Sequence, residues 1–243
     1  MNPGDFEIKA NDGVVLRGKG WMPHGNPEII VCVVHGLGEH IGRYARIANY
    51  LNGNNIALAG ADLRGHGLSS GKRGHTPNYN ALLDDLEAVI NKVTFDFPGV
   101  PVILYGHSMG GNIAANYILR RNKDVIKGAI ISSAWFRLAF EPPAFKVKLG
   151  SIMAGIYPAF TQHNEVNPDD LCHDKEVVRA YKEDTLVHSK ISAAMFFNVY
   201  EAGLWALKNA CSLKIPMLVM HGSEDKLTSC QASIDFAGSP KEL

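Results

Sequence analysis

One short stretch of the sequence contains residue types that could perform nucleophilic chemistry. Residues 106–110 read Gly-His-Ser-Met-Gly, a G-x-S-x-G spacing whose small flanking residues let the backbone turn tightly and expose a serine hydroxyl. Ser108 is therefore the candidate nucleophile. The amide of Met109 would lie at a helix N-terminus, where the partial positive charge can stabilise an oxyanion. The alternative is a chance match of common residues.

The segments on both sides of Ser108 have the pattern that this spacing requires. Residues 102–104 form an apolar run typical of a buried parallel strand, and residues 113–118 restore helical spacing after the glycines. A strand therefore turns directly into a helix at Ser108, which is the context expected for an exposed nucleophile. This context favours the nucleophile interpretation over a chance match.

A second apolar strand, further along the chain, ends in an acidic loop. Residues 216–220 are apolar, and Glu224 and Asp225 follow them closely. One chain order of serine hydrolase triads places the acid on such a loop after the nucleophile. Asp225 is therefore the candidate acid, and Glu224 is its competitor.

A third polar group follows the strand predicted over 56–61. Asp62, Arg64 and His66 could take part in catalysis, because all three residue types occur in active sites. Aspartate and arginine pairs beside turns are more often structural, and we favour that role here.

The remaining segments predict an α/β core. Residues 6–9 and 14–21 form a hairpin around an Asn-Asp-Gly turn. Residues 29–34 are a continuous apolar run, which is typical of a central strand that is covered on both faces. An amphipathic helix over 80–93 would pack on the sheet.

The alternation of strands and helices lapses after a strand predicted over 126–133. Residues 135–214 are rich in helix formers, aromatics and prolines, so we expect an inserted helical cap between core parts 1–134 and 215–243. Residues 145–160 are largely apolar. This pattern fits two interpretations equally well. The segment could be a buried helix of the cap, or a lid that covers a lipid-sized pocket and also touches membrane.

Composition argues against several functional classes. Lys plus Arg and Asp plus Glu number 24 each, so there is no basic excess to bind nucleic acid. No apolar stretch approaches the roughly 20 residues of a membrane-spanning helix, and the N-terminus lacks a secretion signal, so we expect a cytoplasmic location.

The four cysteines have no C-x-x-C spacing. We expect no metal and no organic cofactor, because side chains alone can perform this chemistry.

Four motifs together resemble those of the monoacylglycerol lipase branch of the serine α/β-hydrolases. They are HGLGEHIGRY at 35–44, DLRGHGLSSG at 62–71, GHSMGG at 106–111 and HGSEDKLT at 221–228. The resemblance covers essentially every segment from Phe6 onward. It implies an α/β-hydrolase fold, with a mostly parallel central sheet flanked by helices and an inserted helical cap.

The resemblance also implies a reaction and the residues that perform it. Ser108 would be the nucleophile, Asp225 the acid, and the amides of Leu37 and Met109 the oxyanion hole. The implied reaction is hydrolysis of a monoacylglycerol to glycerol and a fatty acid through an acyl-enzyme. The alternatives are a lysophospholipase or general carboxylesterase and, in another class, a catalytically dead lipid-binding or interaction protein.

The resemblance places a polar headgroup site near the oxyanion loop. Glu39 and Arg43 would lie at the end of the pocket that receives the glycerol. Ile41 stands where the family pattern has a smaller, polar residue. The partners expected are a lipid ester substrate and, transiently, a membrane surface that the cap contacts.

The main departure from the family pattern concerns the triad histidine. In the family this histidine follows the acid, after one more strand and before a last helix, but no histidine follows His221 here. A serine hydroxyl without a base is a poor nucleophile. We expect that the sequence is a fragment that lacks this strand and helix. The alternatives are an inactive relative and the recruitment of an upstream histidine.

Overall fold

The computed structural model describes residues 4–121, 124–141 and 144–239, except for the side chains of residues 144–149. The strands in this part of the chain are β1 (Asp5–Lys9), β2 (Val15–Trp21), β3 (Ile29–Val34), β4 (Ile56–Ala61), β5 (Val102–His107), β6 (Ile126–Ser132), β7 (Thr161–His163), β8 (Lys190–Ser192) and β9 (Met217–Met220). The α-helices are α1 (Ala45–Asn52), α2 (Tyr79–Asp96), α3 (Met109–Arg121), α4 (Ala144–Ile156), α5 (Lys175–Glu183), α6 (Ala193–Lys208) and α7 (Cys230–Gly238).

The central sheet has the order β1-β2-β4-β3-β5-β6-β9. Strands β1 and β2 form the predicted antiparallel hairpin, and β2 pairs antiparallel with β4. The pairs from β4 through β9 are all parallel. The predicted fold class, a mostly parallel sheet flanked by helices, is confirmed. Because parallel strands end at the same edge, the loops after β3, β5, β6 and β9 lie together there.

The apolar run of β3 is continuous because both faces of this strand are buried. Successive side chains on a strand point to opposite faces. Cys32 and Val34 are buried in the larger core cluster, together with apolar side chains of α2 and α3. Val31 and Val33 are buried on the opposite face, together with Ala48 of α1. The strand is therefore covered on both faces, as predicted.

The chain between β6 and β9 forms a long connection between two neighbouring parallel strands. It contains α4, α5 and α6 and the antiparallel pair of β7 with β8. Helix α6 is attached to α3 through buried amides, since Asn112 donates to the Val199 carbonyl at 3.0 Å and Asn116 donates to the Ala202 carbonyl at 3.1 Å. The division into 1–134, 135–214 and 215–243 stays a prediction, and its terminal residues 1–3 and 240–243 lie outside the described residues.

The apolar segment predicted over 145–160 is exposed in its second half. The side chains of residues 145–149 lie outside the described part of the chain. Beyond them, large apolar side chains are exposed by 49% at Ile152, 77% at Ile156, 54% at Tyr157 and 45% at Phe160. This exposure favours the lid interpretation over a fully buried helix. None of the helices that the structure describes combines the length and apolar character needed to cross a bilayer.

The polar group after β4 is structural. Arg64 is buried and donates through Nε and Nη2 to both carboxylate oxygens of Asp85 on α2, at 2.6 and 2.7 Å. Its Nη1 reaches Asp12 in the N-terminal hairpin at 2.6 Å. Asp62 accepts a hydrogen bond from the Ile41 amide at 2.8 Å. These contacts join the loop after β4 to the hairpin, to α2 and to the segment after β3.

Candidate active site

Ser108 occupies a tight turn between β5 and α3. Its φ of +53° lies in the left-handed region, which residues other than glycine rarely adopt. The Ser108 amide donates to the Ser132 carbonyl at 2.9 Å, and its carbonyl accepts from the Trp135 amide at 3.0 Å. Backbone strain of this kind persists where the surroundings over-determine it, and it concentrates at functional sites. The turn therefore presents the predicted nucleophile in a fixed orientation.

Two glycines make this turn possible because other chain segments approach them closely. A Cβ on Gly110 would lie 2.0 Å from the Val34 carbonyl oxygen, and one on Gly106 would lie 2.5 Å from the Gly110 carbonyl oxygen. Both distances are too short for any side chain. The start of α3 therefore packs directly against the end of β3, which brings the nucleophile to the loop that follows β3.

The loop after β3 lies against Ser108. A Cβ on Gly36 would lie 3.3 Å from the Cβ of Ser108. The amide of Leu37, the next residue, donates to no acceptor within the described part of the chain. Met109 is the first residue of α3, so its amide has no intrahelical acceptor. Both amides are therefore unpaired within the described residues, and they follow Gly36 and Ser108 in the chain, which is consistent with the predicted oxyanion hole.

The side chain of Glu39 stabilises the loop after β3 by accepting hydrogen bonds from it. Its Oε1 accepts from the Gly36 amide at 2.7 Å and from the Tyr44 hydroxyl at 3.0 Å, and its Oε2 lies 3.4 Å from Arg43 Nε. Burial raises the pKa of Glu39, but neighbouring histidines and these hydrogen bonds outweigh burial, so the net shift is downward. The ionised carboxylate therefore holds the backbone that precedes Leu37.

Arg43 connects the same loop to the segment between β6 and β9. Besides Glu39, its guanidinium lies 3.8 Å from Asp184 Oδ2 and 4.8 Å from the centre of the Tyr181 ring. Asp184 also lies 2.8 Å from His40 Nε2. The structure thus brings the two predicted headgroup residues together and gives both of them protein partners. Their contact with substrate stays a prediction.

The loop after β9 holds Asp225 firmly. Its Oδ1 accepts from the amides of Leu227 and Thr228 at 2.8 and 2.9 Å, and its Oδ2 accepts from the Thr228 hydroxyl at 3.0 Å. His221 Nε2 lies 3.2 Å from Oδ2. The competitor Glu224 has a side chain that is 79% exposed. The geometry therefore favours Asp225 as the ordered acid.

The loop of Asp225 is attached to the segment that also contacts the nucleophile. The Thr228 hydroxyl oxygen also lies 3.1 Å from the Ser133 carbonyl oxygen, and the Ser133 amide donates to the Met220 carbonyl at 2.8 Å. Two residues further on, Trp135 donates to the Ser108 carbonyl. The ends of β5, β6 and β9 therefore place the predicted nucleophile and acid on adjoining loops.

The pKa of Asp225 predicts a measurable effect of pH on stability. Burial raises this pKa, but hydrogen bonds from His221, Thr228 and Leu227 lower it further, to about 2. In the unfolded chain an aspartate titrates near 4, so the unfolded state takes up a proton first as the pH falls. The ionised Asp225 therefore stabilises the fold above about pH 4. Roughly 2 kcal/mol of the free energy of unfolding is lost as the pH falls toward about 2.

We expect Asp225→Asn to remove this part of the acid dependence. Urea unfolding between pH 7 and pH 2 would show the two free-energy curves converging below pH 4, because the native protein alone loses the contribution of Asp225. Glu224→Gln is the matched control and should follow the native curve. Parallel curves for the native protein and Asp225→Asn would contradict the prediction.

The histidines near the site have partners other than the nucleophile. All ten histidines lie in the described part of the chain, and none hydrogen-bonds the Ser108 hydroxyl there. His35 Nδ1 lies 2.8 Å from the Gly36 carbonyl, and His107 Nδ1 lies 3.3 Å from Ser132 Oγ. Within the same residues, no group of His, Cys, Asp and Glu side chains is arranged to hold a metal ion.

Sequence reasoning did not predict Trp135 as a neighbour of the nucleophile. The sequence patterns place this residue only at the beginning of the cap, although its amide contacts Ser108 in the structure. One signal could have identified it: Trp135 follows the predicted strand next after the nucleophile strand, and neighbouring parallel strands end at the same edge.

Comparisons with known proteins show the family to which this chain belongs. A family model described as serine aminopeptidase, S33, matches residues 25–241. The chain is 34% identical to an uncharacterized abhydrolase domain-containing protein of Dictyostelium discoideum, over 94% of this chain and 24% of that protein, so it spans about a quarter of that relative. It is 30% identical to a monoacylglycerol lipase of Mycolicibacterium smegmatis, over 85% of this chain and 74% of that enzyme.

Comparison with solved structures supports the same family. The monoacylglycerol lipase of Paleococcus ferrophilus superposes with a TM-score of 0.82 at 33% identity, covering 91% of this chain and 82% of that one. A monoglyceride lipase variant of Saccharomyces cerevisiae, in complex with a substrate analog, also has a TM-score of 0.82, at 22% identity over 97% and 81% of the two chains, and shares the fold. The resemblance found in the motifs is confirmed, and the chain belongs to the serine aminopeptidase S33 family, among the monoacylglycerol lipase-like serine α/β-hydrolases.

Proposed function

We propose that this chain is a carboxylic ester hydrolase that cleaves monoacylglycerols through an acyl-enzyme on Ser108. The observation that carries the proposal is the strained Ser108 turn, with Gly36 packed against it and with the Leu37 and Met109 amides lacking acceptors in the described part of the chain. The names of the Mycolicibacterium and Paleococcus relatives support a monoacylglycerol as the substrate.

The proposed reaction has two steps. In the first, Ser108 Oγ attacks the ester carbonyl, and the Leu37 and Met109 amides donate to the oxyanion of the tetrahedral intermediate. Glycerol leaves with the proton that a base has taken from the serine, and the acyl group stays on Oγ. In the second step water attacks the acyl-enzyme and releases the fatty acid. Asp225 would stabilise the imidazolium that forms when an imidazole serves as the base.

We propose that the two ends of the substrate meet different surroundings. The glycerol would lie toward Glu39 and Arg43, whose charged groups suit hydroxyls. The exposed apolar side chains of α4 and the following turn, including Ile152 and Ile156, would meet a lipid surface while the substrate enters.

The test follows hydrolysis of 1-monooleoylglycerol and the acyl-enzyme itself. Because no histidine hydrogen-bonds Ser108 among the described residues, imidazole is added as the base. We expect imidazole to raise turnover at least about tenfold, since serine nucleophiles depend on a nearby base. Intact-mass measurement with p-nitrophenyl octanoate should show an octanoyl adduct on the native chain and none on Ser108→Ala.

Three results would contradict this proposal. Equal hydrolysis by the native chain and Ser108→Ala would remove Ser108 from the reaction. Absence of any acyl adduct with imidazole present would favour an inactive lipid-binding protein. Faster cleavage of 1-oleoyl lysophosphatidylcholine than of the monoacylglycerol would favour a lysophospholipase.

A further inference from the structure

The 184–188 segment, which follows α5, is attached to the loop after β3 at two points. At its first residue, Asp184 Oδ2 lies 2.8 Å from His40 Nε2. At its last residue, the His188 amide donates to the Gly38 carbonyl at 2.9 Å. A Cβ on Gly38 would lie 2.4 Å from the His188 carbonyl oxygen, so the two backbones are in direct contact. The connection between β6 and β9 is therefore attached to the loop that contains a predicted oxyanion donor.

Hydrogen bonds hold the residues on both sides of Leu37. Before it, the Gly36 carbonyl lies 2.8 Å from His35 Nδ1, and the Gly36 amide donates to Glu39 Oε1 at 2.7 Å. After it, the Gly38 carbonyl accepts the hydrogen bond from the chain segment that follows α5. Because each peptide unit is planar, contacts on the two neighbouring residues restrict the direction of the Leu37 amide. The contact on Gly38 is made from outside the loop.

Asp184 is the side chain that attaches this segment to the loop. Its Oδ1 accepts from the Leu186 amide at 3.0 Å. His40 Nδ1 accepts from the Gly42 amide at 3.2 Å, so Nε2 is the nitrogen that carries a proton and donates to the Asp184 carboxylate. Arg43 Nη1 lies 3.8 Å from the same carboxylate. Burial raises the pKa of Asp184, but these donors outweigh burial, so the net shift is downward and the carboxylate is ionised.

We propose that Asp184 is a positioning residue for the Leu37 amide. Its carboxylate attaches the 184–188 segment to the loop after β3, and the attached segment holds the Gly38 carbonyl. Without the carboxylate, the segment can move away from the loop, and the Leu37 amide loses part of the restraint on its direction. The inference rests on the proposed function, because it requires that this amide donates to the oxyanion. Asp184 acts in this role through the backbone of the loop.

The test compares an ester with the corresponding thionoester. Attack on the ester places negative charge on oxygen, which accepts hydrogen bonds from the oxyanion hole. Attack on the thionoester places it on sulfur, which is a weak acceptor. Acylation of Ser108 by p-nitrophenyl octanoate and by p-nitrophenyl thionooctanoate is followed with imidazole as the base. The rate found with Ser108→Ala is subtracted from each measurement. The ratio of the two rates then reports on the hydrogen bonds to the oxyanion.

We expect Asp184→Ala to slow acylation by the ester at least about tenfold, because a small misplacement of an oxyanion donor is costly. Acylation by the thionoester should slow less than about twofold, because sulfur gains little from the same donors. A purely structural role would lower both rates by the same factor. Glu183→Ala is the matched control, since Glu183 is the adjacent residue and is exposed. It should keep the native ratio.

Two further variants make the test specific. His40→Ala removes the partner of Asp184 on the loop, so it should lower the ratio in the same way. Combining it with Asp184→Ala should change the ratio by less than about twofold more, because residues that act through one contact are not additive. Asp184→Asn keeps the size of the side chain and removes its charge and one acceptor. It should lower the ratio at least about threefold, since an oxyanion donor is still displaced.

The remaining outcomes overturn the inference. Equal slowing of the ester and the thionoester assigns Asp184 a general structural role. An unchanged ratio in both Asp184 variants means that the Leu37 amide keeps its direction without the carboxylate, and fully additive effects of His40→Ala mean that the two residues act separately. Failure of both Asp184 variants to reach the native circular dichroism spectrum means that the contact serves folding. If the native chain reacts no faster than Ser108→Ala, the proposed function fails as well. If it reacts faster and the ratio never changes, only the role of Asp184 fails.

Discussion

Replacing Asp85 with alanine is expected to lower the free energy of unfolding by about 3–5 kcal/mol, the usual cost of stranding a buried charge. Asp85 on α2 is 2% exposed, and Arg64 after β4 is 4% exposed. The guanidinium donates to both carboxylate oxygens at 2.6 and 2.7 Å. Without Asp85, the one ion-pair partner left to the buried guanidinium among the described residues is Asp12, whose side chain is 46% exposed.

Asp84, the adjacent residue, provides a matched control. Its side chain is 56% exposed and pairs with Arg121, so Asp84→Ala should change stability by less than about 1 kcal/mol, the range of surface ion pairs. Urea unfolding at pH 7 of the native chain and both variants checks the prediction. A loss below 1 kcal/mol for Asp85→Ala would show that water reaches Arg64 once the carboxylate is gone.

Gly110→Ala is expected to destabilise the fold by about 3 kcal/mol or more, at the upper end of what overpacking costs. The added methyl group would lie 2.0 Å from the Val34 carbonyl oxygen and 2.5 Å from the His35 carbonyl oxygen. Both are backbone atoms of the segment that leads into the oxyanion loop. Relief of the overlap must therefore move α3 away from β3 and displace Ser108 from Gly36.

Gly155 on α4 is the matched control for this substitution. A Cβ there meets nothing within 4 Å, so Gly155→Ala should raise stability by up to about 1 kcal/mol through helix propensity. Thermal unfolding should show a lower melting temperature for Gly110→Ala than for the native chain, and a melting temperature for Gly155→Ala that is equal or higher. Equal small effects would mean that the contact between the start of α3 and the end of β3 is easily relaxed.

Local patterns were sufficient to predict the elements that carry the candidate nucleophile and acid. The strand predicted from residues 102–104 ends at His107, and α3 begins at Met109. The apolar run over 216–220 forms β9, which leads to Asp225. The spacing of apolar residues and the positions of glycines are local features of the chain. They therefore predict strands, helices and tight turns without knowledge of the tertiary contacts.

The partners of the polar side chains could not be predicted in the same way. Motif resemblance predicts headgroup contacts for Glu39 and Arg43, and these stay a prediction. It does not reveal that Glu39 accepts from the Gly36 amide or that Arg43 lies near the carboxylate of Asp184. Asp184 follows α5, far along the sequence from the loop that it contacts. A motif specifies which groups are present, but hydrogen-bond partners depend on where distant segments are brought together.

The sequence by itself determined the parallel α/β core, the serine turn and the acidic loop, because each is encoded by consecutive residues. Only the tertiary structure decided which apolar and polar groups are left without protein partners. Ile156 could have been buried or exposed, and it is 77% exposed. Trp135 could have been an exposed residue at the beginning of the cap, but it is buried, and its backbone amide donates to the Ser108 carbonyl. Burial and hydrogen-bond satisfaction depend on all neighbours in space, and those neighbours are set when the chain folds.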